Sequence, residues 1–449
     1  MSYARWATKK EVVKKLDSIG LDFNVKKSGI PIAYDDGHIY IDSHESHNMI
    51  IGSTGSGKTQ AIILPMLRLS MLAKESVVVN DVKGELYKKC ASSFKENGYD
   101  IIAINFDNPR YGNAWNPLKV PYELYKEGFK DKAIKALEDI GYYLFFDSKE
   151  KESDPFWINS TINYFVGLSL YLFDNAKEDE INIRSIYSLS SSINEGQGVQ
   201  NFLKKLDNNG LIYINVAGTL KAPPETRGSI LAVFIQKIKR YISREELTNM
   251  LCTSDFDLKC ISNKPTAIFI ISGISNHCHN LIPLLINQIV DYVDYYGNKE
   301  KRLNILFDEF DSMVPIKDFA KIIEYCRSIK ICFTITIRSY IHLFNMYSNN
   351  EAIILKLCFG NLIYLLSDDI YTLEEVSKSC GNKENGEPLI PIEELKILET
   401  FEGVILMPRT LPFKTNFLPD YKINYGLKER EMEPPLRKEN DIQVYNEKF

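Results

Sequence analysis

The chain has 449 residues, more than one compact hydrophobic core usually serves, so we expect two domains or one domain with a large insertion. Hydrophobic residues make up 45% of the sequence and charged residues 25%, as in ordinary water-soluble globular proteins. The formal net charge of -5 excludes a basic surface over the whole protein, so nucleic-acid binding would need a local basic patch or a surface formed by assembly.

The sequence contains no apolar run of about 18 residues, so no helix is expected to span a membrane. Its beginning lacks the apolar core of a signal peptide. None of the eight cysteines forms a CxxC pair, which favours buried, reduced thiols. The adjacent ligand types His277, Cys278 and His279 have no second pair at zinc-finger spacing, so a metal site there is disfavoured.

Residues 47–106 alternate strand and helix patterns. The strands are "NMIIGS", "SVVVND" and "DIIAINF". Between them lie two predicted helices, "KTQAIILPMLRLSML", which Pro65 should kink, and "KGELYKKCASSFKENG". Strands that alternate with helices indicate a parallel sheet covered on both faces.

From about residue 120 to 250 nearly every pattern is helical. In the clearest case, Asp154 stands at a capping position and Pro155 in the first helical turn. The β/α alternation returns with "PTAIFIISG", "LNILFDEF", "KICFTITI" and "NLIYLLS", and a hairpin is expected near 403–418.

These patterns predict an α/β fold with a mainly parallel sheet and an inserted all-α domain. Residues 1–119 and 251–425 would form the two parts of a nucleotide-binding domain, and residues 120–250 the helical insertion. Residues 426–449 mix both charges around a Pro-Pro pair, which predicts a mobile tail.

The stretch "GSTGSGKT" matches the phosphate loop (P-loop) pattern G-x-x-x-x-G-K-[ST] between a strand and a helix. Its glycines allow successive backbone amides to point at phosphate oxygens, and the following helix adds its positive end. We expect Lys58 to reach the β- and γ-phosphates of ATP, and Thr59 to ligate Mg²⁺. The nucleotide-binding residues are Gly52, Ser53, Thr54, Gly55, Ser56, Gly57, Lys58 and Thr59.

A P-loop needs an acidic partner on a neighbouring strand, and "LNILFDEF" provides one. Asp308 and Glu309 follow the apolar residues, at the carboxyl end where parallel sheets bind ligands. We expect Asp308 to hold Mg²⁺ through its water shell and Glu309 to orient the attacking water. A chance acidic pair at a strand end is the alternative.

Together with the P-loop, "NDVKGELY", "WNPL", "LFDEF" and "IYTLEEVSKSCG" give the chain a resemblance to the TraG/TraD-like coupling proteins of type IV secretion and conjugation. The resemblance runs from "YARWATKKEV" to the "LPDY" region near residue 420. It implies a RecA-like ATPase domain with an inserted helical domain. The assembled form would be a homo-hexamer, with a monomer as the alternative for the isolated protein. It also implies binding of DNA without sequence preference, a relaxase partner, and a place at the cytoplasmic face of the membrane beside the secretion channel.

Further site residues follow from the resemblance. Asp81 and Lys83 match the family's second-strand motif, and a plain strand exit followed by a helix start explains them equally well. Arg327 matches the arginine that faces the neighbouring subunit's nucleotide, although an arginine at a helix end also interacts with the helix dipole.

Two features depart from the family. Arg338 stands where the family usually has glutamine, so a γ-phosphate sensor there is either lost or replaced by a cation. The family's N-terminal membrane anchor has no counterpart in this sequence, and both a soluble fragment and a member without the anchor fit.

Three functions remain open from the sequence. The first is an ATP-hydrolysing coupling protein that recruits relaxase-bound DNA and helps to translocate it. The second is a nucleotide-gated receptor or adaptor with little turnover. The third is another RecA-like DNA translocase, such as a packaging ATPase, which "DVKGEL" and "WNPL" disfavour.

Overall fold

The structure is a computed structural model that describes residues 3–20, 22–146, 154–273, 278–297 and 301–449. The chain forms two compact units, each built from several stretches of sequence. The first contains Met1–Ala103, Leu258–Ile274 and Val290–Glu433. The second contains Ile104–Asp257, Ser275–Ile289 and Pro434–Phe449.

The strands in the described part of the chain form two sheets. They are β1 (Asp17–Ile19), β2 (Ile30–Asp35), β3 (His38–Asp42), β4 (Asn48–Gly52), β5 (Ser76–Asp81), β6 (Asp100–Asn105), β7 (Thr266–Ile271), β8 (Leu303–Phe307), β9 (Ile331–Ile337), β10 (Asn361–Leu366), β11 (Glu402–Leu406) and β12 (Phe413–Asn416). The strands expected from the sequence at β4 to β12 are confirmed. The small sheet, with order β1-β3-β2, lies in a segment where no strand was expected from the sequence.

The α-helices of the described residues are α1 (Lys9–Val13), α2 (Leu64–Leu72), α3 (Glu85–Glu96), α4 (Lys119–Lys126), α5 (Lys130–Phe145), α6 (Pro155–Asn175), α7 (Ile183–Ile193), α8 (Gly198–Lys205), α9 (Leu211–Leu220), α10 (Pro224–Ile242), α11 (Glu245–Cys252), α12 (Cys260–Asn263), α13 (Leu281–Tyr296), α14 (Phe319–Cys326), α15 (Tyr340–Met346), α16 (Asn349–Cys358), α17 (Ile370–Cys380) and α18 (Ile392–Leu395).

The large sheet has the strand order β12-β11-β10-β4-β9-β8-β5-β7-β6. Neighbours from β10 to β7 are parallel, and β11 and β12 extend the edge in antiparallel pairing. Every residue of β4, β5, β7, β8 and β9 is buried, which explains their continuous apolar sequences. Because these strands are parallel, their carboxyl ends meet at one edge of the sheet, which we call the carboxyl edge.

The helix after β4 departs from α-helical geometry close to the proline. Thr59–Ile63 forms a π-helical turn, and α2 continues from Leu64 with Pro65 in its first turn. Proline removes one backbone donor, so the irregularity immediately before it agrees with the expected kink.

The second unit contains helices α4 to α11 and extends beyond the range 120–250 expected for the insertion. In particular, the "WNPL" stretch, which the sequence placed at the end of the first domain, packs within this unit. The indole of Trp115 donates to Gln288 Oε1 at 3.2 Å, and the Asn116 side chain donates to the Ile181 carbonyl at 2.6 Å. These buried hydrogen bonds explain why the unit begins earlier than the helical pattern does.

The longest helix of the second unit, α6, begins as the sequence predicted. Asp154 is its N-cap, and its carboxylate accepts from the Phe156 amide at 2.9 Å, while Pro155 occupies the first turn.

The C-terminal segment also differs from the expected mobile tail, because it forms hydrogen bonds within each of the two units. Within the first unit, Glu429 accepts from the buried Arg68 at 2.6 Å. Within the second, Asn182 donates to the Gln443 carbonyl, and Glu447 accepts from Tyr171 and Lys205 at 2.7 Å each. Charge content alone predicted mobility, but these partners are distant in sequence and leave no local pattern.

Candidate functional site

The P-loop links β4 to the π-helical turn at the carboxyl edge. Gly55 and Gly57 have φ of +85° and +91°, which strain any residue with a Cβ. A Cβ added to Gly57 would also lie 2.6 Å from the Phe401 ring. Both the backbone and its neighbour therefore require glycine at position 57.

Lys58 lies over the loop that precedes it. Its Nζ donates to the carbonyls of Gly52 at 2.5 Å and Ser53 at 3.1 Å. Burial lowers the pKa of Lys58, while the nearby carboxylates, Asp308 first among them, oppose that shift. The ammonium group is thus held inside the loop, where the P-loop pattern places phosphate oxygens.

Thr59 and Asp308, the two expected magnesium ligands, are in direct contact. Thr59 Oγ1 donates to Asp308 Oδ2 at 3.0 Å, and Thr336 Oγ1 donates to the other carboxylate oxygen at 3.1 Å. Burial raises the pKa of Asp308, since a charged carboxylate is costly in an apolar environment. A hydroxyl beside a buried carboxylate fits a hard divalent cation such as Mg²⁺.

Glu309 directly follows Asp308 in a left-handed conformation, with φ of +58°. Its amide donates to Thr336 Oγ1 at 2.9 Å, and Ser312 donates to its carbonyl through both the amide and the hydroxyl. A non-glycine residue in this region is strained, and these three bonds hold it there.

The Glu309 side chain meets the second-strand motif. Lys83 Nζ lies 2.8 Å from Glu309 Oε1, and both side chains are partly exposed. Lys83 was expected near the site only as a motif match, and the fold brings it to the expected catalytic carboxylate because β5 and β8 are neighbours.

Asp81 ends β5 and is almost completely buried. Its Oδ2 accepts from the Tyr87 amide in the first turn of α3 at 2.7 Å, and Gly84, with φ of +73°, turns the chain into that helix. Burial raises the pKa of Asp81 to about 6. This geometry matches the strand-exit reading, although Asp308 is close enough for its charge to act on Asp81.

Arg338 follows β9 at the carboxyl edge. Its Nε donates to Asp311 Oδ2 at 2.6 Å, and its backbone amide reaches the same oxygen at 3.3 Å. Its positive charge adds to the effect of burial, which lowers the pKa of Lys58.

Arg327 lies away from these groups. It begins the 3-10 turn Arg327–Ile329 that precedes β9, so it stands at the amino ends of the strands, opposite the P-loop. Its side chain is exposed. The fold therefore brings Lys58, Thr59, Asp308, Glu309, Lys83 and Arg338 to one edge and leaves Arg327 at the other.

Sequence reasoning missed three contributors to the site. Thr336 joins Asp308 to Glu309, Asp311 holds Arg338, and Phe401 packs on Gly57. Thr336 left a weak signal as a polar residue inside the apolar "TITI", and Asp311 follows two other acidic positions; Phe401 left none.

Two absences concern only the described residues. Among them, no group of three or more His, Cys, Asp or Glu side chains could hold a metal ion by itself. His277, in the disfavoured His-Cys-His site, lies outside the described residues. Within the same ranges no helix is long and apolar enough to cross a membrane.

A P-loop before a helix, with an acidic pair at the end of a neighbouring parallel strand, defines a P-loop NTPase of the RecA-like α/β class with a helical domain. The chain belongs to the family described as type IV secretory system conjugative DNA transfer, whose model matches residues 1–384. The predicted membership of the TraG/TraD-like coupling proteins is thereby confirmed.

Solved structures agree with this fold. The plasmid coupling protein TrwB in complex with ADP and Mg²⁺ has a TM-score of 0.68 and 13% identity, over 98% of this chain and 96% of that one. The trigonal form of TrwBdeltaN70 with sulphate gives 0.67 and 13% over the same shares. VirB4 of Thermoanaerobacter pseudethanolicus gives 0.55 and 12%, over 87% of this chain and 96% of that one. No curated protein matches the chain.

Proposed function

We propose that this protein is an ATP-hydrolysing coupling protein that binds DNA without sequence preference and helps to move relaxase-bound DNA to a type IV secretion channel. One observation carries the proposal: the fold brings Lys58, Thr59, Asp308 and Glu309 together at the carboxyl edge. Family membership supplies the context of conjugative DNA transfer.

Each of these residues has a chemical role in the proposed reaction. The loop amides and Lys58 bind the β- and γ-phosphates of ATP, and Thr59 and Asp308 would hold Mg²⁺. Bound Mg²⁺ supplies positive charge that offsets the charge on the phosphate oxygens. It would also compensate the buried carboxylate of Asp308.

Glu309 orients the water that attacks the γ-phosphorus. A bond forms from the water oxygen to phosphorus, the bond to the β,γ-bridging oxygen breaks, and Glu309 accepts the proton of the water. Lys83 contacts Oε1 of Glu309, which leaves Oε2 for that water. Arg327 completes the site of a neighbouring subunit, since its own P-loop lies at the other edge of the sheet.

Assembly reconciles DNA binding with a net charge of -5. A homo-hexameric ring places a few basic side chains on its pore wall while its outer surface remains acidic. In the basic stretch "KIKRYISR", Lys239 and Arg240 are exposed whereas Lys237 is buried, so only part of that stretch could face DNA. A place at the cytoplasmic face of the membrane, beside the channel, belongs to the same proposal.

One observation favours the adaptor as a second candidate. The Glu309 carboxylate is already engaged by Lys83 at 2.8 Å, and a permanent ion pair would keep it from activating water. The protein would then bind nucleotide, recruit its substrate and turn over little.

ATP-driven displacement of a third strand from triplex DNA separates the two candidates. A motor displaces the strand only with hydrolysable ATP, and both Lys58→Ala and Glu309→Gln abolish displacement. The lysine variant Lys321→Ala, on an exposed ion pair with Asp318, serves as the matched control and should behave as wild type. ATP binding without displacement by assembled wild-type protein would favour the adaptor and overturn the motor.

A further inference from the structure

Residues 443–449 cross helix α7 of the second unit and reach the ends of α6 and α8. They contain neither helix nor strand. Their side chains alternate, because Tyr445, Glu447 and Phe449 are half-buried whereas Asn446 and Lys448 are exposed. A period of two is that of an extended peptide with one face against the protein.

Helix α7 binds the main chain of this segment. The side chain of its N-cap, Asn182, donates to the carbonyl of Gln443 at 2.8 Å. Ser185 Oγ accepts from the Tyr445 amide at 3.0 Å, and Ser192 Oγ donates to the carbonyl two positions further on. These three side chains share one face of the helix. Their bonds go to main-chain atoms, so another extended peptide can make them equally well.

The side chains of Tyr171, Phe202 and Lys205 form a pocket beside α7. Glu447 accepts from Lys205 through Oε1 and from Tyr171 through Oε2, at 2.7 Å each. The ring of Phe449 lies 5.1 Å from that of Phe202, between centroids, and Lys205 Nζ lies 4.6 Å from the Phe449 centroid. The pocket therefore favours a carboxylate followed two positions later by an aromatic ring.

The Glu447 carboxylate stays charged in this pocket. Burial alone would raise its pKa, but the hydrogen bonds from Lys205, Tyr171 and Tyr445 lower it. Hydrogen bonds to a charged acceptor are stronger than those to a neutral one, so the pocket selects an acid over an amide.

The segment is held in a way that permits replacement. Glu447 and Lys205 are 24% and 47% exposed, so water screens their ion pair. A short tether gives a bound segment an effective concentration on the order of mM, so a modest intrinsic affinity is enough to hold it. A similar segment on another molecule can therefore take its place.

We propose that this groove, formed by α7 and the pocket of Tyr171, Phe202 and Lys205, is a peptide-binding site for another protein, with residues 443–449 as its resident ligand. The partner presents an extended segment in which a glutamate has an aromatic residue two positions away on each side. Its main chain binds to α7, its carboxylate to Lys205 and Tyr171, and its second ring to Phe202. The site uses none of the residues proposed for ATP hydrolysis.

Binding of a labelled peptide tests this proposal on the full chain and needs no nucleotide. The probe is the fluorescent peptide DIQVYNEKF, the sequence of residues 441–449. The double substitution Glu447→Ala with Phe449→Ala removes the two side chains that occupy the pocket. This opened chain should bind the peptide at least ~10-fold more tightly than wild type does. Glu447→Ala alone is milder and should give a smaller gain, and a peptide with the same residues in scrambled order should bind to neither chain.

Reversing the charge of the pocket should reverse its preference. In the opened chain, Lys205→Glu should weaken the peptide about 10- to 100-fold, the scale of charge-assisted hydrogen bonds, and favour a second peptide that carries lysine in place of the glutamate. Lys204→Glu makes the same change of charge on the exposed neighbour of Lys205 and should leave the affinity within about 2-fold. A merely structural role of Lys205 would weaken both peptides alike.

The proposal is overturned if the opened chain, folded by circular dichroism, binds the peptide no more tightly than wild type does. It is also overturned if Lys205→Glu leaves the order of the two peptides unchanged. Self-association of wild type in light scattering that Lys205→Glu abolishes would make a second copy the occupant and would likewise overturn it.

Discussion

Arg327 should act in trans, on the nucleotide bound by the neighbouring subunit. The substitution to test is Arg327→Ala. The residue lies at the amino end of β9, whereas Lys58 and Glu309 lie at the carboxyl edge. Its side chain is exposed, so its removal leaves no buried group without a partner.

The length of β9 decides whether Arg327 can act on the nucleotide of its own chain. Its seven residues span about 23 Å at roughly 3.3 Å per residue, so Arg327 cannot reach the nucleotide of its own chain. As a structural residue it would contribute only the small energy of a helix-end cation, about 0.3–1 kcal/mol. As an arginine finger it would contribute roughly 10³-fold or more to the rate of hydrolysis.

The assay mixes two inactive variants, Lys58→Ala and Arg327→Ala, and measures ATP hydrolysis. In a randomly mixed ring about one quarter of the head-to-tail interfaces join an intact P-loop to an intact arginine, so activity should partly return. Lys321 lies in α14, the helix directly before the turn that carries Arg327, and Lys321→Ala should remain as active as wild type.

If co-assembled variants recover no activity, or if Arg327→Ala alone hydrolyses ATP within a few-fold of wild type, the in-trans assignment is wrong.

Three further predictions concern Glu309 as the general base, the binding of DNA, and the pH dependence of stability. Glu309→Gln should bind ATP but turn it over at least ~100-fold more slowly, the scale of losing a positioned base; unchanged single-turnover rates would move that role elsewhere. DNA binding should be weak in the monomer and fall steeply with salt in the assembled protein, because clustered pore cations release counterions; tight, salt-independent binding by the monomer in a titration would contradict the pore. Burial lowers the pKa of His47 to about 4, below about 6.5 in the unfolded chain, so protonation favours unfolding. The free energy of unfolding, measured in urea, should therefore fall by about 3 kcal/mol as the pH is lowered from 6.5 towards 4. His47→Gln keeps an acceptor for the Phe333 amide and should remove that part of the pH dependence.

The sequence predicted those parts of the protein whose pattern lies within one contiguous stretch of residues. The buried parallel strands leave continuous apolar runs, and the P-loop and the acidic pair each occupy one short segment. Their meeting followed from the rule that parallel strands share a carboxyl edge. Thr59 and Asp308 lie 3.0 Å apart although 249 positions separate them.

The remaining features depend on contacts that no local pattern records. Phe401, directly before β11, packs on Gly57, and Asp311, which follows β8, holds Arg338, which follows β9. The second unit gathers three separate stretches of chain, so its boundaries differ from those of the helical pattern. The charged C-terminal segment is held in place because Glu447 accepts hydrogen bonds from Tyr171 and Lys205, which are far away in sequence.

DNA-stimulated ATP turnover is the direct test of whether this protein is an ATP-driven DNA motor. The measurement is the steady-state rate of ATP hydrolysis by the assembled protein, without DNA, with single-stranded DNA and with double-stranded DNA, for wild type and Lys58→Ala. We expect DNA to accelerate hydrolysis by wild type, and a folded Lys58→Ala variant to hydrolyse no ATP under any of the three conditions. Hydrolysis by Lys58→Ala at the wild-type rate, or a wild-type rate that DNA leaves unchanged, would contradict the motor function.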